Sequence, residues 1–430
     1  MQRILVALGL MATLVLGLAC ERRGGGAASD TGPIKIGVYA DLTGQTSSFG
    51  QSTKNGIQMA ADEINKAGGI NGRQIQLVVE DDQGLPAQAA TVVTKLINQD
   101  KVHAVLGEVA SSNSLAAAPK AQEAKIPMIT PSSTNPKVTQ VGDYIFRVCF
   151  IDPFQGEVMA KFAINTLKAK TAAVLTDVNS DYSRGLDQFF TEKFTKMGGR
   201  IVERQSYTQT DQDFSGQLTA IRSANPDVIY VPGYYGQVGV IAKQAKQLGI
   251  KAPLLGGDGW DAPQLFQLGG DALNGSYFSN HYSYEDPRPE VKTFVDAYRA
   301  RYNVIPDAIA ALAYDAMKVL ADSIRRAGST DGQKLRDAIA QTTNYPGVTG
   351  TISINAERNA VKPATVFELQ SGKYVFKENI YPEGMTPPST TASPTSSNAN
   401  TAATNANSGN ASTANTNAAS TANTANTANR

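Results

Sequence analysis

Two clusters of hydroxyl side chains are the residues of this chain best suited to recognise a small molecule. Residues 111–114 (SSNS) follow the apolar run VHAVLG, and residues 132–134 (SST) follow the apolar run IPMIT. If both runs are parallel strands, the clusters lie side by side at the carboxyl edge of a sheet, where open α/β sheets bind ligands. The first cluster also begins a helix, which adds unpaired N–H groups and a positive dipole end. Together they predict a receptor for a carboxylate, although each loop alone also suits a helix cap or a turn.

Polar and aromatic residues gather after strand patterns in the second half of the chain as well, at Asp177, Tyr182, Tyr234, Tyr235, Asp258 and Trp260. A zwitterionic ligand needs anion donors at one end, a carboxylate at the other and an apolar wall between them. The donors would be Ser111, Ser132 and Thr134, the carboxylate Asp258, and the wall Phe49, Trp260 and Ile309. The alternative is that the tyrosines only pack and that Asp258 and Gly259 form a plain turn.

Alternating strand and helix patterns predict the elements that position these residues. The first elements are a strand at 34–40, a helix at 51–69, a strand at 73–81 and a helix at 86–99. Such short spacing is typical of a parallel sheet covered on both faces. Pro119 does not fit deep inside a helix, so the helix after the first hydroxyl cluster is predicted to start late or to be kinked.

The alternation restarts after residue 148, and 430 residues exceed what one hydrophobic core usually serves, so two lobes are expected. The second series has strands at 171–177, 200–207, 227–233 and 252–257 and helices at 182–199, 213–224 and 236–249. Helical periodicity then returns over 290–303 and 307–328. Strand patterns at 350–356 and 364–376 close the folded region near Tyr381.

The composition excludes several classes of function. A formal net charge of +1 leaves no basic excess to neutralise phosphates, so no nucleic-acid partner is expected. His103, His281 and Cys149 form no cluster with metal-ligand spacing, so neither a metal site nor a cofactor is predicted. The first strand is followed by ADLTGQTSSFG rather than GxGxxG, and neither GxxxxGK[ST] nor GxSxG occurs, which argues against an α/β enzyme.

The two ends of the chain differ in composition from its body. Residues 1–19 combine one positive charge with an apolar run too short to span a bilayer, which predicts a signal peptide. The ending LGLAC resembles the bacterial lipobox, which implies that Cys20 is lipidated and that residues 20–32 form a flexible, membrane-bound tether outside the cytoplasm. Residues 384–430, rich in Ser, Thr, Ala and Asn, are predicted to be disordered because they cannot bury enough apolar surface.

Several motifs occur in the order GQTSSFGQSTKNGIQMAADEINKAGGINGRQIQLVVEDD, GEVASSNS, PMITPSSTNP, PGYYGQVG and LLGGDGWD. With them the chain, from Pro33 to about Tyr381, resembles type I periplasmic solute-binding proteins of the branched-chain amino-acid (Leu/Ile/Val) group, which deliver ligands to ABC transporters. The resemblance implies an α/β fold with two Rossmann-like lobes of parallel sheets, joined by three crossing segments. Residues 33–150 and 284–348 would form lobe 1, and residues 151–283 and 349–383 would form lobe 2.

The resemblance also implies a role for each candidate residue. By position, Ser111 matches the serine that binds the ligand carboxylate, Ser132 a residue that contributes backbone groups, and Thr134 a threonine that contacts both charged ends. Tyr182 and Tyr234 match cleft tyrosines, Asp258 the acid that pairs with the ammonium, Phe49 an aromatic lining residue and Ile309 a wall position. Asp258 is one methylene shorter than the glutamate of some members, and residues 83, 84 and 110 lack the disulfide that some members have there.

These inferences predict an exported lipoprotein that binds an aliphatic or branched-chain amino acid and passes it to an ABC-transporter permease. A monomer without enzymatic activity is expected. Because the two ends of the ligand would be bound by different lobes, binding favours the closed form that a transporter recognises. The alternative is a sensory or regulatory binding protein of the same fold for an amide or urea-type ligand, since one carboxylate also suits an amide N–H.

Overall fold

A computed structural model describes residues 32–385. The predicted signal peptide, the predicted lipidation site at Cys20 and nearly all of the predicted tether and tail lie outside this range. Within it the chain forms two large β-sheets, each flanked by helices, which confirms the predicted α/β class. No helix among these residues combines the length and the apolar character that crossing a bilayer requires.

The first sheet contains five parallel strands in the order β2-β1-β3-β4-β5. Its strands and the helices between them are β1 (Ile34–Ala40), α1 (Ser47–Lys66), β2 (Ile75–Asp81), α2 (Pro86–Asn98), β3 (Ala104–Leu106), α3 (Ser111–Ala124), β4 (Met128–Thr130), α4 (Lys137–Gln140) and β5 (Ile145–Arg147). Every residue of β3, β4 and β5 is buried, as expected for a parallel sheet covered on both faces.

The second sheet contains seven strands in the order β14-β13-β10-β9-β8-β6-β7. Its first elements are α5 (Asp152–Lys161), β6 (Thr171–Asp177), α6 (Asp181–Lys196), β7 (Arg200–Tyr207), α7 (Ser215–Ala224), β8 (Val228–Tyr230), α8 (Tyr235–Gln247), β9 (Leu254–Gly256), α9 (Pro263–Gly269) and β10 (Ser276–Asn280). The strands from β6 to β10 are parallel. The remaining two are antiparallel neighbours added at one edge.

The last part of the chain adds helices beside the first sheet, two strands to the second sheet and a separate two-stranded sheet, β11-β12. Its elements are α10 (Pro289–Tyr302), α11 (Ala308–Ala327), α12 (Gly332–Ala340), β11 (Tyr345–Gly347), β12 (Gly350–Ile352), β13 (Ala364–Gln370) and β14 (Lys373–Ile380). Helix α11 packs against α1, where Ile57 joins Leu312 and Met317 in the core beneath the first sheet. A Cβ at Gly56 would lie 2.2 Å from the Ala310 carbonyl oxygen, so glycine permits this close helix contact.

The chain crosses between the two sheets three times, at residues 148–151, 281–288 and 353–363. We call the first sheet with α1–α4 and α10–α12 the first lobe, and the second sheet with α5–α9 the second lobe. The three crossings confirm the predicted connection. The residue boundaries of the lobes remain a proposal.

Some elements differ from the prediction. Helix α3 begins at Ser111 and continues through Pro119, so the predicted late start is wrong. Proline lacks the N–H that would bond to the preceding turn, yet three alanines of α3 are fully buried against the sheet, and this packing stabilises the helix. Strand β10 and helices α9 and α12 were absent from the sequence-based assignment.

Candidate functional site

Four helices begin where the two lobes face each other. Helices α1 and α3 follow strands of the first sheet, and α6 and α8 follow strands of the second sheet. The Ser112 hydroxyl of α3 donates to Asp181 Oδ2 of α6 at 3.0 Å, and the Ser48 N–H of α1 donates to the Tyr235 hydroxyl of α8 at 3.3 Å. Because helix N-termini carry partial positive charge and unpaired N–H groups, this region favours an anion.

A small, partly open cavity lies between these helix ends. Its lining residues come from both lobes and are Phe49, Val109, Ser132, Tyr182, Tyr234, Asp258, Gly259 and Ile309. Six of the nine predicted site residues are therefore brought together at one place. Larger hollows along α10 at the outer surface contain none of the predicted residues.

Aromatic rings form one wall of the cavity. Tyr182 and Tyr234 stack with ring centroids 5.2 Å apart, and Phe49 meets Tyr234 edge-on at 5.9 Å. A Cβ at Gly259 would lie 3.0 Å from Tyr234 and 3.1 Å from Tyr182, so glycine leaves room for the stacked pair. Ile309 completes this wall from the first lobe, which gives the cavity an apolar side.

Asp258 places a carboxylate in the cavity. Its Oδ1 accepts hydrogen bonds from Gln155 Nε2 and the Tyr182 hydroxyl, each at 2.9 Å. Its Oδ2 accepts from the Ser132 hydroxyl at 3.3 Å and lies 3.0 Å from His281 Nε2. Although burial raises the pKa of the Asp258 carboxyl, these donors outweigh burial, and its pKa lies below the usual value. The group is therefore an ionised, almost fully buried carboxylate.

His281 and Gln155 orient this carboxylate, and sequence reasoning missed both. The Nδ1 atom of His281 has no hydrogen-bond partner in the part of the chain that the structure describes, so we assign the proton to Nε2, which donates to Asp258. Burial lowers the pKa of His281, which keeps the ring neutral at pH 7. The ring stacks on Phe150 at 3.7 Å. His281 follows strand β10 directly, and the failure to recognise that strand hid the signal.

The hydroxyls of the first lobe are divided between the cavity and the layer behind it. Ser132 lines the cavity, whereas Ser111 accepts a hydrogen bond from the Asn135 N–H at 3.2 Å and is buried. Thr134 is fully buried, and its hydroxyl has no hydrogen-bond partner among the described residues. Ser111 and Thr134 therefore do not line the cavity, although they belong to the loops that enclose it.

Asp152 lies next to these loops at the start of the second lobe. Its N–H donates to the Thr134 carbonyl oxygen at 3.0 Å. Neither carboxyl oxygen of Asp152 has a hydrogen-bond partner within residues 32–385, and burial raises its pKa to about 8. The side chain is thus mostly uncharged at neutral pH.

No group of three His, Cys, Asp or Glu side chains in the described part of the chain is placed to hold a metal ion.

Trp260 does not line the cavity, so its predicted place in the apolar wall requires correction. Its Nε1–H donates to the Val231 carbonyl oxygen at 3.1 Å, and its ring stacks near Phe278 in the second-lobe core. The reason is the single 3₁₀ turn Asp258–Trp260, in which side chains two residues apart point in directions about 120° from each other. Val109 supplies a wall position that the sequence analysis did not assign.

Comparison with known proteins agrees with this arrangement. A family model described as periplasmic binding protein matches residues 33–373. The chain belongs to the periplasmic binding protein family. Membership implies export to the periplasm, and it confirms the family predicted from the motifs.

Individual relatives show which subgroup of the family this chain is similar to. Leu/Ile/Val-binding protein BraC3 of Rhizobium johnstonii is 32% identical over 348 residues, covering 80% of this chain and 94% of that protein. The crystal structure of leucine-binding protein LivK from Thermotoga maritima is 44% identical, with a TM-score of 0.79, and covers 82% of this chain and 100% of that chain. LivJ from Streptococcus pneumoniae, solved with isoleucine, is 37% identical, with a TM-score of 0.78, over 81% of this chain and 100% of that chain. These relatives support a substrate-binding protein of the branched-chain amino-acid ABC-transporter group.

A more distant relative binds a different class of ligand. A solute-binding protein of Rhodopseudomonas palustris, solved with 3,4-dihydroxybenzoic acid, is 27% identical, with a TM-score of 0.72, over 81% of this chain and 96% of that chain. An aromatic acid carries no ammonium group. The carboxylate in the cavity is therefore the feature that bears most directly on ligand class.

Proposed function

We propose that this protein binds an amino acid with an aliphatic, branched side chain between its two lobes and delivers it to an ABC-transporter permease. The observation that carries the proposal is Asp258, an ionised and buried carboxylate beside an apolar wall. A buried charge is costly unless it is paired, so a cationic ligand group is the natural partner. The names of the relatives support a branched-chain amino acid as the ligand.

Each part of such a ligand has a counterpart in the site. The carboxylate would lie toward the hydroxyl loops and the N-terminus of α3. Ser132 would donate from the cavity wall. Ser111 and Thr134 would donate from the loops directly behind it if the bound ligand reaches them. The ammonium would lie against Asp258. The side chain would contact Phe49, Val109 and Ile309, while Tyr182 and Tyr234 enclose it. Because both lobes contribute, binding stabilises the closed arrangement that a permease would recognise.

The direct test is a thermal-shift screen of the full chain against the standard amino acids, small amides and benzoates. Leucine, isoleucine or valine should raise the melting temperature, since a ligand at one hundred times its Kd stabilises a protein by about 2.7 kcal/mol. Calorimetry on the hits then gives the affinity. If only benzoates or amides raise the melting temperature, the amino-acid proposal is wrong.

The second candidate is a sensory or regulatory protein for an amide or urea-type ligand. Asp258 already accepts hydrogen bonds from neutral N–H and O–H groups, so it suits an amide as well as an ammonium. The two candidates differ in the screen described above. Deletion of the gene also distinguishes the two candidates, because only the transport function predicts slower uptake of the amino acid in the deletion strain.

We also propose that Cys20 anchors the protein to a membrane through a lipid and that the protein acts as a monomer. The LGLAC motif supports the anchor. Fatty-acid labelling should mark the wild type, whereas Cys20→Ala should release the protein without changing its ligand affinity. Absence of label on the wild type would contradict the anchor. If the protein is a monomer, sedimentation of the Cys20→Ala variant should give the mass of one chain.

A further inference from the structure

The two lobes touch directly beside the cavity, at residues that do not line it. Ser112 lies in the first turn of α3 and Asp181 is the first residue of α6. The Ser112 hydroxyl donates to Asp181 Oδ2 at 3.0 Å and accepts from the Asp181 N–H at 3.0 Å. The Asn135 side-chain amide of the first lobe adds a bond to the Asp181 carbonyl oxygen at 2.8 Å. Three hydrogen bonds thus converge on one residue from the opposite lobe.

The contact between the N-termini of α3 and α6 favours a negatively charged side chain between them. When the lobes close, the N-termini of α3 and α6 meet, and both ends carry partial positive charge. The Asp181 carboxylate lies between them, so it neutralises a repulsion that would otherwise oppose closure. Its other oxygen pairs with Arg184 of its own helix at 2.5 Å, and this pair does not depend on the first lobe.

We propose that Ser112 and Asp181 form an interlobe clasp, which stabilises the closed arrangement and so sets ligand affinity and release rate without touching the ligand. Neither side chain lines the cavity. These two residues can therefore change ligand affinity only by changing the fraction of molecules that are closed. The apparent affinity falls in proportion to that fraction, because only closed molecules bind the ligand tightly. The identity of the ligand rests on the proposed function, whereas the clasp does not.

A second interlobe contact provides a place for a reporter. The Tyr235 hydroxyl donates to the Gln45 carbonyl oxygen at 3.1 Å, and the side-chain amides of Gln237 and Gln45 meet at 3.4 Å. All these groups are neutral. Cysteines introduced by Gln45→Cys and Gln237→Cys can be joined by a short thiol crosslinker only while the lobes are closed. The pair is introduced into the Cys20→Ala variant, and the remaining native Cys149 is fully buried, so no native thiol competes for the reagent.

The first experiment measures isoleucine binding to the full chain carrying Asp181→Asn, Ser112→Ala or both. Each single variant should raise Kd about five- to tenfold, mainly through faster dissociation, because one charge-assisted contact is lost. The double variant should lose no more than the stronger single variant, since both changes remove one contact. Glu192→Gln, which removes an exposed charge about three turns further along the same helix α6, should leave Kd unchanged.

The second experiment measures the crosslinking rate of the Gln45→Cys and Gln237→Cys pair without any amino acid. Asp181→Asn should slow crosslinking by about the factor by which it raises Kd, and Glu192→Gln should not. If Asp181→Asn slows crosslinking but the wild type binds no amino acid, the clasp is supported and the proposed function is wrong. If both clasp variants keep Kd, dissociation rate and crosslinking rate within about twofold of the wild type, the clasp is wrong.

Discussion

The two lobes recognise their sides of the cavity by different means. The first lobe offers neutral groups, namely loop hydroxyls and the ends of α1 and α3, and several of its hydroxyls lie one layer behind the cavity. The second lobe offers one ionised carboxylate, fixed by four donors, beside a stacked tyrosine pair. For an amino-acid ligand, this difference predicts that recognition of the anionic end is distributed over many weak donors. Recognition of the cationic end would depend on one residue and the groups that orient it.

The largest effect is expected from Asp258→Asn in the second lobe. If one residue carries the cationic end, the variant should lose on the order of 2–5 kcal/mol of affinity, because removal of one partner leaves a buried ammonium unpaired. Calorimetry with isoleucine measures the loss. His281→Leu is the matched control, since it removes one orienting donor but leaves the charge on Asp258, and its loss should be clearly smaller. Wild-type affinity in Asp258→Asn would favour the amide candidate.

Substitutions in the first lobe should have smaller and overlapping effects. If the ligand carboxylate comes within hydrogen-bond distance of these two hydroxyls behind the cavity, Ser111→Ala and Thr134→Ala should each cost about 1.5–3 kcal/mol of affinity, as expected for hydrogen bonds to a charged group. The double variant should lose less than the sum, because both donors serve one carboxylate. Calorimetry on the three variants measures the coupling. Strictly additive losses would show that the two hydroxyls act at separate places.

Asp152→Asn tests the uncharged carboxyl at the start of the second lobe. Because its pKa is about 8 when folded and about 3.9 when unfolded, the folded state keeps a proton that the unfolded state has lost between those values. Wild-type stability should therefore fall as pH rises from about 4 to about 8, by at most about 1.4 kcal/mol per pH unit from this group. Denaturant unfolding at several pH values should show a flatter profile for Asp152→Asn.

Asp82→Asn is the first-lobe counterpart of this test. Burial raises the pKa of Asp82 to about 7. The fall in stability that Asp82 causes as pH rises should therefore end about one pH unit below the fall that Asp152 causes. Identical pH profiles for the wild type and both variants would contradict the assignment of raised pKa values to these carboxyls.

The smallest effect on binding is expected from Trp260→Phe. The variant loses the hydrogen bond to Val231, so the free energy of unfolding should fall by about 0.5–1.5 kcal/mol, with a further loss from the smaller ring. Ligand affinity should stay within about twofold of the wild type, because the indole does not line the cavity. A large loss of affinity without a loss of stability would restore the original prediction for Trp260.

Local pattern was sufficient for much of the fold. The apolar runs at β1 and β6 were predicted with the bounds that the structure gives them, because a buried strand is defined by its own sequence. The rule that ligands bind beyond strand ends then located most of the cavity. It could not separate Asp258 from Trp260, since that distinction depends on the direction of one 3₁₀ turn.

The remainder depends on contacts between distant parts of the chain. Helix α3 continues through Pro119 because its neighbours stabilise it, and no local preference reveals those neighbours. His281 belongs to the site only because the second crossing segment places it behind Asp258. The return of α10–α12 to the first lobe was implied by the family resemblance and not by periodicity.

That return has a consequence for the order in which the protein can fold during synthesis. The five strands of the first sheet are complete at Arg147, but the face that α1 covers also needs Leu312 and Met317 of α11. A nascent chain that ends before Ala308 would leave this apolar face exposed to water, and such surfaces favour aggregation. The first lobe, although it begins first, is therefore finished only when most of the second lobe has already been made.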